Sequence, residues 1–499
     1  MTWRPQYRSS KYRHVFGKPA TKENCYDGVP ITRSVHDNHL CTVNPRFIAV
    51  ITECAGGGAF LVLSINHTGK VDPHHPKVSG HRGNVLDIKW NPFNDFCIAS
   101  CSEDTTVKIW DIPEHGVLKN ITVSQKELQG HSRRVGLIEW HPTADNIIFS
   151  TGYDYQVMVW KLDVPEQVIK NPVRSISVHS DVVLSMSFNT DGSRLATSCK
   201  DKKIRVIDPR TGTLLQETDC KSHKASKVLF LGNLKMLLST GNSRWNHRQI
   251  ALWDQEDLSQ PSYSEDLDGS SGVLFPFYDP DTHMLYIAGK GDGNIRYYEI
   301  SPEKPYVHYL TEYRSLLPQK GMGEYSISQN IKSYQEDIYP MTAGNKPSMT
   351  ADEWIGGLDK GPVMMSLRPG SKLDSYVELG SGKDPTDSME TQHSRSRPGL
   401  SLLIQERLDA KEGNARKVSP ATSLLPSTDE KSSSTTYVRN GQLDSTHCSP
   451  PKTENELRQM FYKQQEEIRR LKEQLNQKDV RIKQLELEIK NVRNSQANL

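Results

Sequence analysis

Residues 80–111 read GHRGNVLDIKWNPFNDFCIASCSEDTTVKIWD and hold one complete structural unit. A Gly-His pair opens it. The apolar run Val85–Trp90 follows and stops at Asn91-Pro92, where proline has no N–H to give a sheet ladder. A second run, Phe96–Ser102, ends in a polar turn holding Asp104, and a third, Thr106–Trp110, leads into Trp110-Asp111. Short apolar runs of this kind, separated by polar turns, predict three antiparallel strands of one sheet.

The unit recurs. Asp104, Asp154, Asp201 and Asp292 each have Val or Ile three residues on, and six residues on stand Trp110, Trp160, Ile207 and Tyr298. The intervals between these last residues are 50, 47 and 91; the double interval is split by Trp253-Asp254. Histidines His81, His131, His179 and His223 keep the same metre. Gly-His and Trp-Asp at this spacing are the WD40 signature, and five such units cover 78–300. Residues 39–65 repeat the pattern without the signature: Cys41–Val43 ends at Asn44-Pro45, and Phe47–Thr52 and Ala59–Ile65 read as further strands. Six blades of a β-propeller are therefore legible.

Composition excludes several classes. The formal charge is +2 over 499 residues, which singles out no nucleic-acid or membrane partner. Eight cysteines form no CxxC pair and no disulfide framework, as in a reducing compartment. The basic N-terminal stretch lacks the apolar core of a secretory signal, and no 18-residue apolar run predicts a membrane helix. His81, Ser100 or Ser102 and Asp104 can be drawn as a catalytic triad. The same types repeat at His131/Asp154 and His179/Asp201, however, and an enzyme needs one site rather than several; they read as structural hydrogen-bonding positions, with Trp253 and Asp292 as further members of the set. The glycine clusters at 56–58 and 289–293 open no predicted helix, and His67, His74 and His75 lack ligand spacing, so neither cofactor nor metal is expected.

Long stretches resemble the coronins: SKYRHVFG (10–17), NPRFIAVITECAGGGAFLVL (44–63), GHRGNVLDIKWNPF (80–93), SRRVGLIEWHPTADNII (132–148), GKGDGNIRYYEI (289–300) and QEDIYPMTAG (335–344). The opening RPQYRSSKYRHVFG is most similar to class II. The resemblance implies a seven-bladed propeller (1–333), an extension packing on it (334–370), a variable linker (371–451) and a coiled coil (452–499). It further implies a non-enzymatic protein of the cytoplasmic actin cytoskeleton, with a general scaffold for signalling, adhesion or regulatory assemblies as the alternative. One departure stands out. Family members carry strands of the form EIFRFYKL and EPISMIVPR between their PQKG and QEDIYP motifs, whereas here Gln335 follows Gly321 within 14 residues. The expectation is a splice-type variant whose seventh blade is incomplete, with a strand near Arg13–Phe16 at the edge of that blade.

Basic clusters are the candidate actin-binding residues: Lys200, Lys202, Lys203 and Arg205 at one turn, Arg133 and Arg134 at another, and Arg8, Lys11 and Arg13 near the start. Acidic filaments would dock there electrostatically. Pro30 stands where the actin-binding class I coronins have a basic residue, which leaves Arg33 as the nearby cation.

The Ser/Thr/Pro-rich stretch 371–451 reads as a disordered linker, with Leu400–Leu408 a transient helix. After Thr453 and Glu456, a capping box, a heptad runs to the end. Its a positions are Phe461, Ile468, Leu475, Ile482 and Ile489; its d positions are Leu457, Gln464, Leu471, Lys478, Leu485 and Val492. Arg481-Ile482-Lys483-Gln484-Leu485-Glu486 fits a pattern associated with parallel trimers, because Arg at g pairs with Glu at e of a neighbour. A homotrimer is expected, with tetramer and dimer as alternatives.

Overall fold

The computed structural model describes residues 10, 12, 14–220, 226–315, 317–324, 340–366 and 401–405. Six antiparallel sheets of the same design follow one another. The first is Cys41–Val43, Phe47–Cys54, Gly57–Ser64 and Val78–His81; the second is Val85–Trp90, Cys97–Ser102, Thr106–Asp111 and Lys126–Gln129. The third to sixth begin at Val135, Val183, Lys227 and Leu274 and end at Ile176, Asp219, Asp268 and Arg314. The described residues have the all-β WD40 propeller fold. Each strand alternates residues between two faces, and most strands are buried on both because blades stack face to face: Ile98, Phe149, Leu195 and Ile287 are fully buried.

The sequence repeat and the structural blade are out of step by one strand. His81 ends the outer strand of the first sheet, yet its partners Ser100 and Asp104 belong to the second. Inner strands are also joined directly: the Asp87 carboxylate accepts from the Ile138 amide at 3.1 Å, and the Trp140 indole donates to the Lys89 carbonyl at 3.1 Å.

The seventh sheet differs. Among the described residues, 301–340 contribute one strand to it, Gln319–Glu324, which sits between neighbours. The Gln319 amide donates to the Asp292 carbonyl of the sixth blade (2.9 Å), and a Cβ on Gly321 would lie 2.1 Å from the His39 carbonyl beside the first blade. The strand paired with it is Ser401–Gln405, antiparallel. Leu400–Leu408 was expected to be helical, but at its centre lies this strand; three successive aliphatic residues carry no period that separates helix from strand. The expected strand at Arg13–Phe16 is not found among the described residues there. Instead the Val15 amide donates to the Tyr12 carbonyl in a turn, and Tyr12 and Val15 pack on Tyr286 and Tyr297 of the sixth blade.

Residues 348–359 cover the other end of the third and fourth blades. Thr350 and Glu353 cap the short helix Ala351–Ile355 reciprocally. Its Trp354, 1% exposed, packs against His141 and Phe149, and the Arg210 guanidinium donates to the Trp354 carbonyl (2.6 Å). His141 is fully buried in the His-Pro turn of the third blade, where its Nδ1 accepts from the Ala144 amide at 2.9 Å. Asn44 and Asn91 do the same work in the Asn-Pro turns of the first two blades.

Burial pushes the His141 imidazole down to about 3, against a weaker opposing effect of the Gly192 carbonyl. A folded value below the unfolded one makes the neutral ring the folding-competent form, so stability is complete above pH 6.5 and is lost as pH falls. Lowering the pH from 6.5 to 5 is expected to cost on the order of 2 kcal/mol through this group. His141→Asn, which keeps an acceptor and cannot charge, should flatten that loss in urea unfolding curves at the two pH values. An unchanged pH slope would refute it.

Candidate protein-interaction face

In each blade the turns joining the second and third strands lie at one end of the propeller, together with the loops that lead into the next innermost strand. Aspartates hold these turns in the second, third, fourth and sixth blades. In the second blade His81 links Asp104 through Nδ1 (2.9 Å) to Ser100 through Nε2 (2.8 Å), and the Trp110 indole donates to Ser100 (2.8 Å). The third repeats it with His131, Asp154, Ser150 and Trp160 at 2.8–3.0 Å. Burial by itself would raise the Asp104 carboxyl; the hydrogen bonds and charge of His81, with Thr106 and the Arg82 amide, outweigh it and hold the group well below the usual carboxylate range. Ser100 is 0% exposed, so this Ser-His-Asp arrangement reaches no substrate.

The later blades vary the device. His179 bonds Thr197 (2.9 Å), while Asp201 takes Arg205 and Ser180. Trp253 donates to Ser239 (2.8 Å); His223 lies outside the described residues. Asp292 accepts from Arg248 of the fifth blade (2.6 Å), which also clasps Asp268.

This geometry corrects one candidate. Arg205 is buried, in ion pairs with Asp201 (2.7 Å) and Glu217 (2.8 Å), and Lys203 also pairs with Glu217. The physical reason is strand alternation: four residues after the turn aspartate the side chain points into the sheet, and it meets an acid directly opposite on the outer strand. Lys108 opposite Glu127 and Arg296 opposite Glu312 occupy the same place in other blades. Arg134 lies over the Tyr153 ring at 3.8 Å and near Glu103. Arg133, Lys200 and Lys202 are exposed. Lys202 takes the left-handed position of the turn at φ 69°, as Thr105 and Tyr155 do after their aspartates. Arg33 is exposed nearby on the same face, beside Glu53. Arg8, Lys11 and Arg13 lie outside the described residues, as do Ile468, Leu471, Leu475, Arg481, Ile482, Leu485, Glu486 and Ile489.

Two features escaped the sequence reading. Residues 34–40 form a strap across the axial opening on this face. Asn38 donates to the Leu86 and Gly136 carbonyls of the second and third blades (3.0 and 2.9 Å), and Lys290 of the sixth donates to the Val35 and His36 carbonyls (2.9 and 2.8 Å). The second is Trp245, 81% exposed at the tip of the fifth blade's hairpin beside Arg244, above a groove of about 390 Å³ that reaches Cys220 and Asp266. An isolated tryptophan carries no period, and only its placement on a tip marks it.

No cluster of three metal-ligating side chains occurs, and no helix is long and apolar enough to cross a membrane, among the described residues.

Residues 74–111, 122–161 and 170–208 match the WD domain, G-beta repeat; 330–362 match a type of WD40 repeat, and 5–70 match a domain of unknown function, DUF1899. Coronin-2A of Homo sapiens is 59% identical over 529 residues, covering 99% of this chain and 99% of that protein. Coronin-2B of Homo sapiens is 54% identical over 528 residues, covering 100% and 99%. The 529 aligned positions exceed the chain's 499 residues by 30, so at least that many positions of the relative have no counterpart here. The crystal structure of the WD40 domain from Toxoplasma gondii coronin is similar at a TM-score of 0.64 and 26% identity, covering 70% of this chain and 96% of that one.

Removing the shared hydroxyl isolates the structural role of the buried set. Ser100→Ala strands the Trp110 indole and one nitrogen of His81 without partners, at an expected cost of about 2–4 kcal/mol. Chemical denaturation of the variant measures it. A loss under half a kcal/mol would remove the structural role assigned to Ser100.

Proposed function

The chain belongs to class II of the coronin family, and from that premise we propose that it is a non-enzymatic, actin-associated scaffold. Its propeller binds actin filaments and partner proteins, and its coiled coil at 452–499 joins several copies across the linker at 371–451. The observation that carries this reading is the convergence on one face of exposed cations, Arg33, Arg133, Lys200 and Lys202, with the projecting Trp245. Cations steer a protein toward an acidic filament, and an exposed tryptophan beside arginine is the chemistry of an interface anchor. Arg8, Lys11 and Arg13 extend the same candidate set.

Each propeller presents few such groups, so a single head binds weakly. A parallel trimer held by Ile468, Leu471, Leu475, Ile482, Leu485 and Ile489, with Arg481 paired to Glu486, raises the effective concentration of the second and third heads. The internal neutralisation of Lys203 and Arg205 favours a second reading, a scaffold for other protein assemblies with little direct filament contact. Both readings place the protein in the cytoplasm, the first at the cytoskeleton.

Co-sedimentation of the full chain with actin filaments at rising salt separates them. Binding is expected at low salt and should weaken as salt rises. Arg133→Ala with Lys200→Ala and Lys202→Gly is expected to weaken it about fivefold or more, glycine being chosen because φ at 202 is left-handed. Trp245→Ala should cost about tenfold, and Ile482→Asn with Leu485→Asn about a hundredfold through loss of assembly. Absence of binding by the folded chain would make the second reading the function.

A further inference from the structure

Among the described residues the seventh blade has one in-line strand, Gln319–Glu324, and a segment from far along the chain stands beside it. We propose that Ser401–Gln405 is a donor strand: it fills the second-strand slot of the seventh blade from the linker, and the edge of Gln319–Glu324 that it covers is an acceptor for an extended aliphatic peptide.

The register carries this. In the second, third and fourth blades the innermost strand meets its neighbour with a one-residue skip at its start. Val85 and Asp87 pair with the consecutive Ser102 and Cys101, Val135 and Leu137 with Gly152 and Thr151, and Val183 and Ser185 with Cys199 and Ser198. Gln319 and Gly321 pair with Gln405 and Ile404 in the same way, and the pairing then runs to Glu324 opposite Ser401. A segment lying against an arbitrary edge has no reason to reproduce that bulge. The donor therefore sits where an in-line second strand sits in the complete blades.

The acceptor strand is shaped for its place. Gly321 and Gly323 face the backbone of His39–Cys41, where a side chain at 321 has no room, and Met322 is buried against Tyr286 and Tyr297 of the sixth blade. One face of the strand is thus spent on ring closure, and its lateral edge offers N–H and C=O groups that only another strand satisfies. Leu402, Leu403 and Ile404 form the longest run of consecutive aliphatic residues in 371–451, and aliphatic and β-branched residues favour an extended backbone. The 34 residues of 367–400 have a contour of roughly 100 Å, ample to return to the propeller. Backbone pairing supplies the affinity and imposes little sequence demand, so a free peptide of the same character competes for the edge.

The test uses the full chain with Glu324→Cys and Ser401→Cys, residues directly opposed in the register, under mild oxidation, with the linked peptides mapped by mass spectrometry. An intrachain link is expected at least tenfold faster than for Glu324→Cys paired with Ser433→Cys. A synthetic peptide of residues 400–406 in excess should slow it at least fivefold. Equal rates for the two pairs overturn the donor strand, a link between chains overturns its assignment in cis, and an unaffected rate with peptide overturns the acceptor site. As an independent measurement, Leu403→Pro should reduce hydrogen-exchange protection of the Gly321–Gly323 amides at least tenfold; unchanged protection overturns the pairing.

Discussion

A buried imidazole between two neighbouring blades is the interaction on which this propeller depends. His81 closes the first sheet and takes its partners from the second, and His131 stands just past the outer strand of the second and takes its partners from the third. A blade alone has two apolar faces and no way to cover them; stacking buries both, but stacking by hydrophobic contact tolerates sliding. The histidine does not. Its two nitrogens need a carboxylate and a hydroxyl at fixed positions, and an unpaired buried partner costs more than the bond yields. The offset between sequence repeat and structural blade thus converts a stack into a ring of defined register.

Where the histidine is absent or diverted, charge takes over, and this explains why cations that look free in the sequence are not. Arg248 joins the fifth blade to the sixth through Asp268 and Asp292, and Arg205 holds Asp201 in place of His179. Within the blades, Lys108, Arg205 and Arg296 meet acids across the strand. Arg133 and Lys200, in loops and turns of the candidate interaction face, remain exposed.

The parts of the fold legible in the sequence are those with a period. Strand alternation recurs in all six antiparallel sheets, the aspartate turns in the second, third, fourth and sixth, the Asn-Pro stops in the first two, and the His–Asp separation of 23 residues in two. The strap at 34–40 was illegible because its partners, Leu86, Gly136 and Lys290, are scattered along the chain and bind its backbone and one asparagine. Trp245 was missed for lack of a pattern. Arg205 was misread because charge was weighed without the alternation that turns its side chain inward. The strand at Ser401–Gln405 was misread because a short aliphatic run is compatible with either regular structure until an edge is available to it.

Ring closure is where local and global demands meet. A propeller must join its last blade to its first, and a strand whose only anchor is a face contact leaves the join as the weakest seam. Here Gln319–Glu324 is tied to the sixth blade through Asp292 and to the first through the glycine contacts at His39 and Cys41. The same His39 belongs to the strap, packed on Phe275 and Phe277, so strap and closing strand support each other. Among the described residues, the contacts that close the ring are made by Gln319–Glu324, the one in-line strand of the seventh blade, which joins the last blade to the first.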